Sequence, residues 1–176
     1  MVSSRFIFLV TVLIISEAIA DECKVGNKEF CDLIGDAHKA NEDGIKLMNG
    51  ALNGNATKGL KLADKRVVEV LKGEKEQLIT AVKKALQAEL SAFVQVKADC
   101  YTLGHNYDET CEKVTFEIAY ATLGLIMAIA EVHPDTATKT KVENIISDLI
   151  PYMFIEPASL YRNALHASGK KILTII

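Results

Sequence analysis

The sequence predicts an all-α protein, a compact bundle of five to six helices stapled by disulfides. Apolar residues recur at helical spacing along most of the chain, and no segment shows the strict alternation of a half-buried strand. Four cysteines supply the expected staples. The chain has 176 residues, a formal net charge of −3 and 49% hydrophobic residues. This length corresponds to one domain.

The first twenty residues have the pattern of a cleavable signal peptide. Arg5 supplies the positive charge, residues 6–15 are almost all apolar, and Ala-Ile-Ala at 18–20 matches a cleavage site. The apolar run is shorter than the roughly 20 residues that cross a membrane. We therefore expect residues 1–20 to be removed. Residues 21–176 should form a single helical-bundle domain, secreted to the extracellular space and without a membrane span.

The four cysteines all follow the expected cleavage site, at Cys23, Cys31, Cys100 and Cys111. An even number in a secreted protein indicates two disulfides, and three connectivities are open. Their spacing does not match a structural zinc site. A long-range bridge would contribute more to stability, about 4.5 kcal/mol against about 2.5–3 kcal/mol for a local one. Proximity in the sequence nevertheless favours the pairs Cys23–Cys31 and Cys100–Cys111.

The first half of the chain predicts three helices. Apolar spacing predicts the first over residues 28–52, and the glycine- and asparagine-rich stretch 53–59 is typical of a loop. A second, short helix is expected over 60–71, ending at a glycine. The third begins at Glu74 and runs through Cys100, where many alanines and a Lys/Glu face favour helix over strand.

The second half of the chain predicts two or three more helices. The fourth has no charge at all over residues 118–130, so we expect it to be buried on every side at the centre of the bundle. Asp135 or Thr136 could cap the fifth helix, which Pro151 should stop or kink. Pro157 fits the first turn of a sixth.

A glycosylation site and one weak metal pattern are visible. Asn55 heads an Asn-Ala-Thr sequon in the expected loop, which predicts N-glycosylation of a secreted chain. His38 and Glu42 lie one helical turn apart, but no third ligand is evident, so we interpret them as surface ion-pairing residues. We expect no metal and no cofactor.

The sequence does not favour an enzyme. Ser168 and Lys171 match S-x-x-K, but the companion motifs of that class are missing, and Gly169 between them predicts a solvated helix break. Disulfide formation removes the thiolates as nucleophiles. Basic residues are dispersed and not clustered, which argues against a nucleic-acid partner.

The apolar content of the last three helices exceeds what a core alone requires. We therefore expect a non-enzymatic protein that binds or carries a small hydrophobic, lipid-like ligand in a pocket between helices. The expected lining residues are Leu123, Met127, Ile146, Ile150 and Phe154. The alternative is an interaction or structural protein, or a secreted effector, whose apolar helix faces bind a partner protein. Those faces, including 152–155 or the tail 171–176, could also form a homodimer.

Overall fold

Every regular element in the described part of the computed structural model is helical. The structure describes residues 23, 25–49, 55–104, 107–154 and 158–176, so the expected signal peptide lies outside the described residues. No strand occurs in these ranges, and the all-α prediction is confirmed. Two 3₁₀ turns, Lys75–Gln77 and Ile150–Phe154, accompany six α-helices: α1 Lys28–Met48, α2 Asn55–Leu71, α3 Leu78–Leu103, α4 Asp108–Val132, α5 Thr136–Leu149 and α6 Ser159–Leu173.

The first four helices form a four-helix bundle. Each contacts two of the others, α1 with α2 and α4, and α3 with α2 and α4. Within the described ranges, neither α1 with α3 nor α2 with α4 comes into close backbone contact, so these pairs face each other across the diagonals. Short connections between successive helices make neighbours antiparallel. The helices α5 and α6 contact each other and cover α4, and α6 also contacts α3.

The bundle interior contains two clusters of buried apolar residues, one toward each end. The first, larger cluster joins the start of α1 to the end of α2, the start of α3 and the end of α4. The second joins the end of α1 to the start of α2, the end of α3 and the start of α4. This distribution is the one that an antiparallel four-helix arrangement requires.

The central position expected for the fourth helix is confirmed, with one exception. α4 contacts α1, α3, α5 and α6, and Ile118, Leu125 and Ile129 are fully buried. Burial on every side was wrong, because Tyr120 is 48% and Met127 38% exposed on its outer edge. By length and composition α4 could cross a membrane, but 67% of its most apolar window is buried in the bundle. A core helix passes the same composition test.

The loop expected over 53–59 is helical from Asn55 onward, while 53 and 54 lie outside the described residues. The backbone N–H of Ala56 donates to Asp99 Oδ2 of α3 at 2.9 Å, which satisfies one donor of the helix start. A Cβ at Gly59 would lie 2.2 Å from Gln95 Oε1 and 3.4 Å from Ala92 Cα, so α2 packs closely on α3 at this glycine. Packing against α3 therefore overrides the local preference of the sequence for a loop.

The helix break expected at Gly169 is absent as well. α6 continues to Leu173, and a Cβ at Gly169 would lie 2.8 Å from Leu90 Cδ2 of α3. Beyond it, Ile172 is fully buried in the first core cluster. Lys83 Nζ donates to the backbone oxygen of Ile176 at 2.9 Å. The apolar tail thus packs on its own chain.

Both preferred disulfides are present. Cys23, which precedes α1, pairs with Cys31 in the first turn of α1, and their Cα atoms are 5.8 Å apart. Cys100 of α3 pairs with Cys111 of α4 across the connection between them, with Cα atoms 6.0 Å apart. No free cysteine remains. Two disulfides are compatible with an oxidising, extracellular environment.

Candidate ligand-binding cleft

The side chains expected to line a pocket lie at the outside of the bundle. Met127 is 38% and Ile150 51% exposed. Leu123 and Ile146 are half-buried and contact the first core cluster from its edge. The side chain of Phe154 lies outside the described part of the structure. The described members of this set therefore belong to the outer faces of α4 and α5 and to the 3₁₀ turn that follows α5, and their role in binding stays a prediction.

A different cleft lies where three helices meet. One face each of α1, α4 and α6 encloses an open volume of about 720 Å³. This size falls within the range of about 300–1,000 Å³ that is usual for small-molecule sites. The described lining residues recur three or four positions apart, as one face of a helix requires: Asp43, Lys46, Leu47, Glu109, Glu112, Lys113, Phe116, Glu117, Ala158 and Arg162.

The apolar part of this cleft centres on Phe116. Its ring is 51% exposed although it lies between α1 and α6, and Leu47 and Ala158 extend the apolar surface on either side. The stem of Arg162 adds more carbon to the wall, because its side chain is only 11% exposed and a long charged side chain can bury its methylene groups. The result is an apolar floor with a charged rim.

The rim carries four acidic and three basic side chains among the described residues. Each basic group has an acidic partner within the cleft. The most buried basic side chain is that of Arg162, which is 11% exposed and whose ion pair has the longest distance. The three pairs are Lys46 Nζ–Asp43 Oδ1 at 3.0 Å, Lys113 Nζ–Glu109 Oε1 at 2.6 Å and Arg162 NH1–Glu112 Oε1 at 3.6 Å.

The fourth acid, Glu117, is held differently. Its Cβ lies against Gly44 of α1, and the side chain is half-buried. Burial and, second, the nearby negative charge of Asp43 raise the pKa of Glu117, whereas Lys39 lowers it. In the described part of the chain no lysine, arginine or histidine nitrogen lies within 4.0 Å of its carboxylate. Glu117 therefore has no ion-pair partner among the described residues, and Lys39 is the cation that attracts it from a longer distance.

A second cleft, of about 790 Å³, lies at one end of the bundle. The segment before α1, the start of α3 and the end of α4 enclose it. Asn27 belongs to its wall, caps α1 by accepting from the Phe30 N–H at 2.8 Å, and donates to Glu131 at 2.5 Å. These contacts give the polar wall of this cleft a structural role in closing the helix end.

A polar layer, formed by His38, Asn41, Asp64 and Glu89, separates the two core clusters. Asn41 of α1 and Glu89 of α3 are fully buried, and the Asn41 amide donates to Glu89 Oε1 across the bundle diagonal. Burial raises the pKa of Glu89 to about 8, against the opposing effect of the Asn41 hydrogen bond; Asp64 raises it further. Glu89 is therefore mostly a neutral carboxylic acid at pH 7.

The other half of the polar layer lies nearer the surface. His38 Nδ1 and Asp64 Oδ1 are 2.6 Å apart, and both side chains are about one-fifth exposed. The hydrogen bond to Asp64 raises the pKa of His38 more than burial lowers it. His38 Nε2 also lies 4.0 Å from Glu42 Oε1. No group of three potential metal ligands comes together among the described residues.

Sequence reasoning missed Asn41, Glu89 and Glu117. A signal for the first two exists: Asn41 falls four residues after Ala37 on the buried face of α1, and Glu89 falls three after Leu86 on that of α3. A polar residue at an apolar helical position indicates a buried polar contact. Nothing comparable marks Glu117, because its role depends on the placement of three helices.

The fold and this site define a disulfide-stapled helical bundle with a ligand-sized surface cleft. No family model, curated protein or solved structure matches the chain. Function is therefore argued from the chemistry of the cleft alone.

Proposed function

We propose that this chain is a secreted, non-enzymatic binding protein that holds a small hydrophobic ligand in the cleft between α1, α4 and α6. The observation that carries the proposal is the half-exposed Phe116 ring at the floor of a cleft of about 720 Å³. A ligand covering this ring would remove apolar surface from water at about 25 cal/mol per Å². The charged rim would orient the ligand.

The binding test uses N-phenyl-1-naphthylamine, an uncharged probe whose fluorescence rises in an apolar site. We expect saturable binding, and Phe116→Ala should weaken it about ten-fold through lost apolar contact. The matched control is Leu62→Ala, because Leu62 is similarly exposed, at 48%, on α2 away from the cleft. Probe binding that Phe116→Ala leaves unchanged would contradict this function.

Secretion is part of the proposal. The signal pattern over residues 1–20 and the two disulfides support it. Expression in a secretory cell line should release a chain that begins at Asp21, as N-terminal sequencing would show. Asn55 now lies at the first residue of α2, and its glycosylation stays part of the same proposal. A mass decrease on treatment with peptide N-glycosidase would demonstrate it.

A second candidate function has its own support. Phe116, Tyr120 and Met127 form an exposed apolar edge along α4, at the spacing of one helix face. Such an edge could bind a partner protein or a second copy of the chain. Light scattering over a range of concentrations separates the two functions. A monomer that binds the probe supports the ligand, whereas a dimer lost in Tyr120→Lys supports self-association.

A further inference from the structure

We propose that the ligand carries a cationic amine head group and that Glu117 is its counter-charge. This inference rests on the proposed function and adds the chemical class of the ligand. It stands on two features of the cleft: the apolar surface around Phe116, and the position of Glu117 in the wall of the same cleft.

The charge balance of the cleft favours a cation. The three basic groups already have acidic partners, so an anionic head group would have to displace one of them. Glu117 has no such partner among the described residues, and it is half removed from water beside Asp43. An ammonium group would compensate the carboxylate and relieve its repulsion from Asp43. A head group at Glu117 also leaves the alkyl chain next to Phe116.

The strongest competing anchor is Arg162. Its side chain is largely buried, and its NH1 lies 3.6 Å from Glu112 Oε1, which is loose enough to admit a carboxylate. An alkyl carboxylate would then be the preferred ligand. The two anchors make opposite predictions about ligand charge, so one series of ligands distinguishes them.

The experiment compares n-decylammonium, decanol and decanoate as displacers of N-phenyl-1-naphthylamine near neutral pH, each below its micellar concentration. We expect decylammonium to bind about five-fold more tightly than decanol, the gain of one partly exposed ion pair, and decanoate to bind most weakly. Glu117→Gln should abolish the preference for the amine, measured as the ratio of decylammonium affinity to decanol affinity. The control is Glu143→Gln, which removes the same charge from the exposed face of α5.

The pH dependence provides a second readout. Glu117 faces Asp43 and Lys39 of α1, and Arg162 of α6 lines the same cleft. Because the pKa of Glu117 is raised, the preference for the amine should disappear on acidification before an ordinary glutamate would be protonated. Decanol affinity should not follow this titration.

Each outcome bears on one of the two proposals. Equal binding of all three ligands, or tightest binding of decanoate, overturns the amine inference and leaves the hydrophobic cleft intact. If none of the three displaces the probe and Phe116→Ala has no effect, both the inference and the proposed function are wrong. A preference for decylammonium that persists in Glu117→Gln would overturn the assignment of the counter-charge.

Discussion

Glu89 and Glu117 lie on adjacent helices of the bundle and differ in depth. Burial raises the pKa of both, but Glu89 is fully buried between α1 and α3, whereas Glu117 is half-buried in an open cleft. Glu89 has a neutral hydrogen-bond partner inside the core, Asn41. Glu117 faces a volume that a ligand can enter. The comparison indicates that the degree of burial determines the role of a carboxyl group whose pKa is raised. A fully buried group belongs to the fold, whereas a half-buried group in a cleft is available for binding.

The comparison also explains the chemistry that each site allows. A carboxyl in the core is less costly as a neutral acid than as an ion, because no solvent compensates the charge. Two buried oxygens of the pair, Asn41 Oδ1 and Glu89 Oε2, have no hydrogen-bond partner in the described structure. Buried oxygens without a hydrogen-bond partner lower the stability of the folded state. A charge at the wall of a cleft remains available to a ligand.

The largest expected effect is a loss of stability on raising the pH. Glu89 releases its proton near pH 4.5 when unfolded but near pH 8 when folded, so its contribution is full below pH 4.5 and is lost as the pH rises through about 8. The loss should be about 4 kcal/mol. Urea denaturation followed by circular dichroism at about pH 5 and about pH 9 measures it.

Glu89→Gln removes this titration and keeps the shape of the side chain. The variant should be as stable as the wild type in acid and more stable than the wild type in alkali. Glu143→Gln, on the exposed face of α5, is the control and should follow the wild type. A wild type that is equally stable in acid and alkali would contradict the buried neutral state of Glu89.

The next effect comes from the partner residue. Asn41→Leu leaves the Glu89 carboxyl buried without its donor, and we expect the free energy of unfolding to fall by about 1–3 kcal/mol at acidic pH. The double variant Asn41→Leu/Glu89→Leu should recover this loss, because apolar side chains need no partner. If Asn41→Leu alone is as stable as the wild type, the diagonal hydrogen bond does not contribute to the fold.

Two histidines, His38 and His166, show the same contrast between surroundings. Their titration should change the free energy of unfolding by less than about 1 kcal/mol. The Asp64 hydrogen bond raises the pKa of His38, whereas burial lowers that of His166, which stacks on Phe93 at 4.9 Å between ring centroids. Nuclear magnetic resonance titration should therefore give a pKa above the ordinary value of 6.5 for His38 and a pKa below it for His166. The variants His38→Gln and His166→Gln assign the signals, and the reverse order would refute the prediction.

The helices were predictable from sequence because apolar spacing reports a buried face directly. The disulfide pairs followed from proximity, and the cap at Asp135 followed from residue type. Gly59 and Gly169 misled the prediction, since a glycine that breaks a helix and one that admits a neighbouring helix look alike in sequence. Only the tertiary contact distinguishes them.

The sites were less predictable than the fold. Asn41 and Glu89 are 48 positions apart and meet only because α1 and α3 lie on one diagonal. The cleft requires three helices at once, and α6 contributes Ala158 and Arg162 from its first turns. Apolar composition indicated a surplus in α4 correctly. Composition does not predict which edge of α4 faces solvent, because that depends on where α1 and α6 pack.

The smallest expected effect is that of Glu117→Gln on stability. Glu117 is partly solvated and its neutral analogue keeps the contact with Gly44, so the free energy of unfolding should change by no more than about 0.5 kcal/mol at neutral pH. The same urea denaturation that tests Glu89→Gln measures it. A loss of several kcal/mol would mean that Glu117 belongs to the fold as Glu89 does, and the division by depth would fail. A small change, together with a lost preference for amines, would assign Glu117 to binding alone.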